Sequence, residues 1–228
     1  MVEEEDSVRI AGLDLSIAGS GVCCLELDEQ YGIRSTNFLG FTDVKKNERE
    51  DRAVYYKAKD FASRFEQTAW MRNIILSRLD GVPVVAVERF AYSAIGMLAD
   101  IGMFVGAIVQ PLWERGVAIR WYEPQVAKKH FAGRGSADKV GMYEAYLART
   151  GVKPNLDGYP VPKKKDGVKP TSDIVDAFAL ADTLRTELML RKDRSLLPAL
   201  PRWDREIFGK KSGSLLDVPF ICKTDCYL

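Results

Sequence analysis

The chain has 228 residues, with 33 Lys+Arg against 32 Asp+Glu and one histidine, for a formal net charge of +1. That length suits one generous domain, and 46% apolar with 29% charged residues excludes wholesale disorder. A single histidine excludes multi-histidine zinc chemistry, so a metal site must be built mainly from carboxylates. No apolar run reaches the roughly 18 residues of a membrane-spanning helix. The acidic opening MVEEEDSVRI is unlike a secretory signal, and a cytoplasmic chain with no membrane partner is expected. Cys23 and Cys24 read as small core residues. Cys222 and Cys226 lack the second ligand pair of a zinc site and are expected to stay thiols.

Three strand-like runs come first: Val8–Leu15, carrying Asp14, then Gly21–Leu27 and Tyr31–Leu39. Their short separations predict antiparallel hairpins. Residues 42–58 are heavily charged and read as a connection or a short exposed helix. A helix is predicted over Asp60–Leu79, with Phe61, Phe65, Ala69, Leu76 and Leu79 at helical spacing. Val84–Val87 is a short apolar strand with Glu88 directly after it. Ala94–Glu114, rich in small and apolar residues, predicts a helix packed on both sides, and Val117–Tyr122 a further buried strand.

Pro124 can open a helix that Gly133 closes, and Ser136 is placed to cap the next one, Ala137–Arg149. Residues 151–171 form a Pro-, Gly- and Lys-rich loop. Thr171 or Ser172 is expected to cap a long helix, Asp173–Leu190, with Ile174, Ala177, Phe178, Ala181 and Leu184 on one face. The last 38 residues, Arg191–Leu228, lack periodicity and are expected to wrap the surface. The order predicts an α/β fold: a mixed five-stranded sheet, three antiparallel strands then two parallel, flanked by helices. Strands one, four and five should lie side by side and parallel. The domain division expected is 1–190 for this unit and 191–228 for an extension of unknown role.

Asp14 interrupts an otherwise apolar strand, where a charge is costly unless paired or bound to a cation. By itself it also reads as a strand-end aspartate bonded to a turn. Glu88 repeats the pattern at the carboxyl end of VVAVE, where ligand sites of α/β sheets gather. Asp173 and Asp176, three apart, share one face at a helix start, as first-turn acids commonly do. Brought together, four carboxylates repel one another without a cation. Convergence therefore implies a divalent metal, and all-oxygen ligation selects Mg²⁺ or Mn²⁺. Two ions ~4 Å apart could serve an in-line phosphodiester displacement by an activated water. Asp14 would serve both, with the helix acids on one side and Glu88 on the other.

The segments GLDLSIAGSG, VAVERF, KKHFAGRGSADK and DIVDAFALA resemble the four signature blocks of RuvC-type Holliday junction resolvases, of the RNase H-like, retroviral-integrase superfamily. Order and spacing match over residues 8–190. The resemblance implies an RNase H-like sheet and a D-E-D-D site on Asp14, Glu88, Asp173 and Asp176. It places the Lys-x4-Gly-x-Gly-x-Ala-x-Lys block on Lys128, Gly133, Gly135, Ala137 and Lys139. It also implies two Mg²⁺ per site, Mn²⁺ substituting, and a homodimer with helix 94–114 as its face. Ala127 replaces a β-branched residue, and segments 42–58 and 151–171 are longer than in compact bacterial members. The chain therefore reads as a divergent relative, of viral or organellar kind.

Charge is unevenly distributed. From Arg115 to Lys169 there are 12 Lys+Arg against 5 Asp+Glu, a net of +7 that leaves −6 for the rest of the chain. A basic region beside carboxylates is the footprint of phosphate-backbone binding. Lys128, Lys129, Arg134 and Lys139 are the candidate DNA contacts. Lys163–Lys165 reads equally as DNA contact or solvated loop. Phe90 and Tyr92 are candidates to stack on junction bases, although Phe90 also reads as core. His130 is expected on the surface or facing DNA, without a catalytic role. The expected function is metal-dependent cleavage of branched DNA, foremost four-way junctions. A related nuclease acting on RNA or on other replication and packaging intermediates, or a non-catalytic junction binder, are the alternatives. A sugar-kinase or actin-like ATPase needs two such domains, more than this length supplies.

Overall fold

The computed structural model describes residues 7–43, 45–48, 53–56, 61–89, 98–150, 159–163, 167–210 and 213–223. Strand β1 (Val8–Asp14) pairs antiparallel with β2 (Gly21–Leu27), which pairs antiparallel with β3 (Ile33–Thr42). On the other side β1 lies parallel to β5 (Val84–Glu88), and β5 parallel to β6 (Ala118–Tyr122). Among the described residues the sheet has six strands, not the five expected. Within the charged stretch 42–58, Val54–Tyr56 forms β4, parallel to β3 at Gly40–Thr42. Three residues among many charges give no alternating pattern to read, so neighbouring β3 defines the strand. The strand order is β4-β3-β2-β1-β5-β6.

Alternation along the strands divides the core into two layers. Leu13, Val22, Leu39, Phe41, Val85 and Val87 face helices α1 (Arg64–Arg78) and α2 (Leu98–Glu114). Ile10, Cys23, Leu25, Val84 and Ala86 face α3 (Pro124–Ala132), α4 (Lys139–Thr150) and α5 (Thr171–Lys192). Helix α1 starts at Arg64, not Asp60, because Ser63 caps it by accepting from the Glu66 N–H, and Glu66 accepts from the N–H of Ala62, one residue before the cap. Its buried face is Met71, Ile75 and Leu76, whereas Phe65 is 73% exposed. Helix α2 buries only Phe104, Val105, Ile108 and Leu112; it is not packed on both sides. Gly102 and Gly106 instead line a shallow apolar groove of about 460 Å³ with Trp113, Trp121 and Ile221.

Pro124 opens α3, and Gly133 at φ 75° closes it, as the sequence predicts. Ser136 does not cap α4, since the Gly141 N–H at its first turn is taken by Asp138. Neither Thr171 nor Ser172 caps α5. Both lie inside its first turn and tie down the preceding loop, Thr171 donating to the Pro160 carbonyl and Ser172 accepting from the Val168 N–H. Helix α5 is buried on nearly every side, because sheet, α3, α4 and the C-terminal segment surround it.

The C-terminal segment is docked. It contains helix α6 (Arg202–Phe208), and Ile221 bridges to Ile119 on the edge strand β6. Buried Arg120 donates to the carbonyls of Leu215 and Val218 and pairs with buried Glu187 at 3.0 Å. Tyr122 donates to the same glutamate at 2.7 Å. Leu190, Ile207, Phe208 and Leu216 form a small core of their own against α5.

Candidate active site

Two glycines set the site's depth. A Cβ on Gly12 would fall 2.0 Å from the Ala177 carbonyl oxygen, and one on Gly21 would fall 2.1 Å from that of Asp173. The backbone of α5 thus rests directly on β1 and β2, an approach that any side chain there would block. Its first turns come to the end of β1, where Asp14 stands, and β5 delivers Glu88 to the same end of the sheet.

The structure brings Asp14, Glu88, Asp173 and Asp176 together. Burial raises the Asp14 pKa well above the usual carboxylate range, and Glu88, Asp176 and Asp173 raise it further, against the pull of Lys139. Burial and then Asp176 push Glu88 up to about 7, opposed by Lys139 and Lys128. Asp173 and Asp176 are 8% and 6% exposed. The Lys139 ammonium binds Asp176 Oδ2, and the attraction of Asp176 and Asp14 outweighs burial in raising its pKa. Lys139 is therefore a fixed positive charge among four carboxyl groups.

By donor type these residues suit a hard divalent cation. The donors are all carboxylate oxygens, and Asp176 Oδ1 is buried with no hydrogen-bond partner. The cluster is gathered, not closed: among the described residues no three His, Cys, Asp or Glu side chains are arranged to hold an ion. Lys139 takes one of the oxygens such an ion needs.

The predicted DNA contacts separate in space. Lys128 lies close enough to Glu88 to lower its pKa, and Arg134 is exposed beside the start of α4, near Gly141. Lys129 instead turns to Glu206 of α6, at 2.7 Å. Phe90, Tyr92, Lys164 and Lys165 lie outside the described residues, as does Cys226. His130 is neither on the surface nor free to face DNA. It is 1% exposed and held between Asp182 and Asp204. Its partners lie 52 and 74 residues further along the chain, beyond any local pattern.

Sequence reasoning missed Lys169. Its ammonium and Asp173 Oδ2 both lie against Gly19, 2.6 and 2.7 Å from where a Cβ there would stand. The available signal was a lysine two residues before a helix with paired acids. Gly167, at φ 76°, lets the same loop pass the Lys139 stem, which a Cβ would meet at 2.8 Å. The loop before α5 thus walls the site on the side of both lysines.

Two solved structures share this arrangement of strands and helices. Thermus thermophilus RuvC is similar at a TM-score of 0.54 and 21% identity, covering 81% of this chain and 96% of that chain. T. thermophilus RuvC in complex with a Holliday junction substrate is similar at a TM-score of 0.54 and 21% identity, covering 77% of this chain and 92% of that chain. No protein-family model and no curated protein matches the chain. Strand order, the mix of parallel and antiparallel pairs and both likenesses agree that the chain has the RuvC-type RNase H-like fold.

Proposed function

We propose that this chain is a divalent-metal-dependent, structure-selective endonuclease that nicks branched DNA, chiefly four-way junctions. The convergence of Asp14, Glu88, Asp173 and Asp176 beside the basic segment of α3 and α4 carries this reading. The likeness to a RuvC solved with a Holliday junction substrate supports branched DNA as the substrate class.

Asp14, Glu88, Asp173 and Asp176 would hold Mg²⁺ or Mn²⁺, two ions per site as the resemblance implies. When bound, the metal supplies Lewis-acid polarisation of the phosphodiester and lowers the pKa of water. Asp14 is the shared residue, since it feels all three other carboxylates. Lys139 offsets part of their charge and, with Lys128, draws a phosphate toward the cluster. Arg134 extends the positive surface outward, and Lys129 joins it where DNA displaces Glu206. Phe90 and Tyr92, just past Glu88, are proposed to stack on bases opened at the branch.

A four-way junction has near two-fold symmetry and needs two strands cut, so the working unit is proposed to be a C₂ homodimer. The apolar groove on α2 around Gly102, Gly106 and Trp113 is its proposed face. With Mg²⁺ present, four-way junctions should be nicked at least ~10-fold faster than flaps, linear duplex or RNA–DNA hybrid. Equal rates on all four would contradict junction selectivity.

A further inference from the structure

One ionic node, separate from the carboxylate cluster in its residues, joins four helices. His130 on α3 meets Asp204 on α6 through Nδ1 at 2.7 Å, and Asp182 on α5 through Nε2 at 3.2 Å. Asp182 also accepts from Arg149 on α4 at 2.6 Å and from Arg185 on α5 at 2.8 Å. Arg149 reaches back to the His130 carbonyl. His130, Asp182 and Asp204 are 1%, 3% and 3% exposed. Both ring nitrogens face carboxylates, although Nε2 also has Arg149 Nη1 at 3.3 Å and Thr186 Oγ1 at 3.5 Å; only the imidazolium can donate to both carboxylates.

The charged groups around the ring are Asp204 from α6, Arg149 from α4, and Asp182 and Arg185 from α5. Burial opposes the imidazolium, but hydrogen bonds and charge from Asp182 and Asp204 raise its pKa overall. A cavity of about 1120 Å³ opens beside the node, giving water a route to exchange the proton.

The node and the carboxylate cluster share their framework. Helix α4 is fixed to α5 at two points, by Lys139 to Asp176 and by Arg149 to Asp182. Helix α3 leads through Gly133 to Lys139, and α6 grips its far end. Trp203 lies over Gly133, 3.6 Å from where a Cβ would stand. We propose that Asp204, supplied by the C-terminal segment, is a positioning residue that acts through His130. It holds α3 and the Gly133–Lys139 segment where Lys139 meets Asp176. The catalytic consequence rests on the nuclease reading above; the structural consequence does not.

Hydrogen–deuterium exchange on the full-length metal-free chain between pH 6 and 9 tests this directly. In the wild type, protection of residues 133–139 should fall as pH rises through the raised His130 titration. Asp204→Asn should speed exchange of that segment about tenfold at neutral pH. It should also move the midpoint of lost protection down by about one pH unit, since one of two carboxylates is gone. On a four-way junction with Mg²⁺, the same variant should lose kcat about tenfold and keep KM within about twofold.

Unchanged exchange and midpoint in Asp204→Asn would overturn the proposal. So would faster exchange across the whole chain with no shift in midpoint, which marks a merely structural residue. Should that variant not fold, the wild-type pH profile carries the test, and protection of residues 133–139 that stays constant from pH 6 to 9 would overturn the proposal. Should the wild type cleave nothing while the exchange results hold, the nuclease reading fails and the positioning role stands.

Discussion

Glu88 ends β5 with its carboxyl next to Asp176, and burial with that neighbour raises its pKa from 4.5 to about 7. The folded chain therefore keeps this proton to a higher pH than the unfolded chain does. Metal-free stability should fall as pH rises from about 4.5 to about 7, by roughly 1–3 kcal/mol from this residue. Glu88→Gln should remove that decline. Thermal melts at pH 8 should show the metal-free variant roughly 3–8 °C more stable than wild type, with the difference vanishing near pH 4. A variant less stable at pH 8 would contradict this account of the site. Asp14 and Glu88 were legible in the sequence because each stands against an apolar strand, where a lone carboxylate needs a reason. Lys169 and His130 were not legible. Their positions depend on contacts with Asp173, Asp182 and Asp204 that only the folded chain creates.

Among the elements, α5 does the most to define the site, and its seating depends on residues without side chains. Gly12→Ala would drive a methyl group into the Ala177 carbonyl and the Ala181 N–H, 2.0 and 2.5 Å away. Both obstacles are backbone, so relief requires moving the helix. The expected cost is about 3 kcal/mol or more, measurable by denaturant unfolding. Loss of the proposed metal-dependent cleavage should accompany it even where folding survives, because Asp173 and Asp176 move with the helix. An unshifted midpoint would contradict the close seating. The sequence showed α5 and one apolar face; it did not show burial on all sides, which comes from α3, α4 and the C-terminal segment. Strand β4 and the Asp138 cap were missed for a related reason. Three residues carry no period, and Ser136 competed with a better-placed carboxylate two positions later.

At the scale of the molecule, the balance of 33 basic and 32 acidic residues conceals separate roles. Basic residues of α3 and α4 border the carboxylate cluster, while Arg120 and Arg191 are spent inside, binding carbonyls of the C-terminal segment. That segment has no periodicity because it is held by distant residues, Ile119 and Arg120 of β6 and Lys129 and His130 of α3. The α2 groove is the other large-scale feature. Gly106→Arg, where nothing lies within 4 Å of a new Cβ, should leave the fold intact and abolish the proposed dimer. Light scattering should read one chain per particle for the variant and two for wild type. A monomeric wild type with full junction activity would contradict the two-fold arrangement.

The most direct test of the central claim is nicking of a synthetic four-way junction by wild type and Asp14→Asn, with Mg²⁺ and with chelator, beside a linear duplex. Changes to groups that only orient a metal's ligands cost about 10–100-fold, so losing Asp14, the proposed shared ligand, should cost more than ~100-fold. Only wild type should nick the junction, and only with Mg²⁺, while junction binding by Asp14→Asn stays measurable. Persistent Mg²⁺-dependent nicking by Asp14→Asn, at a rate near wild type, would contradict that claim.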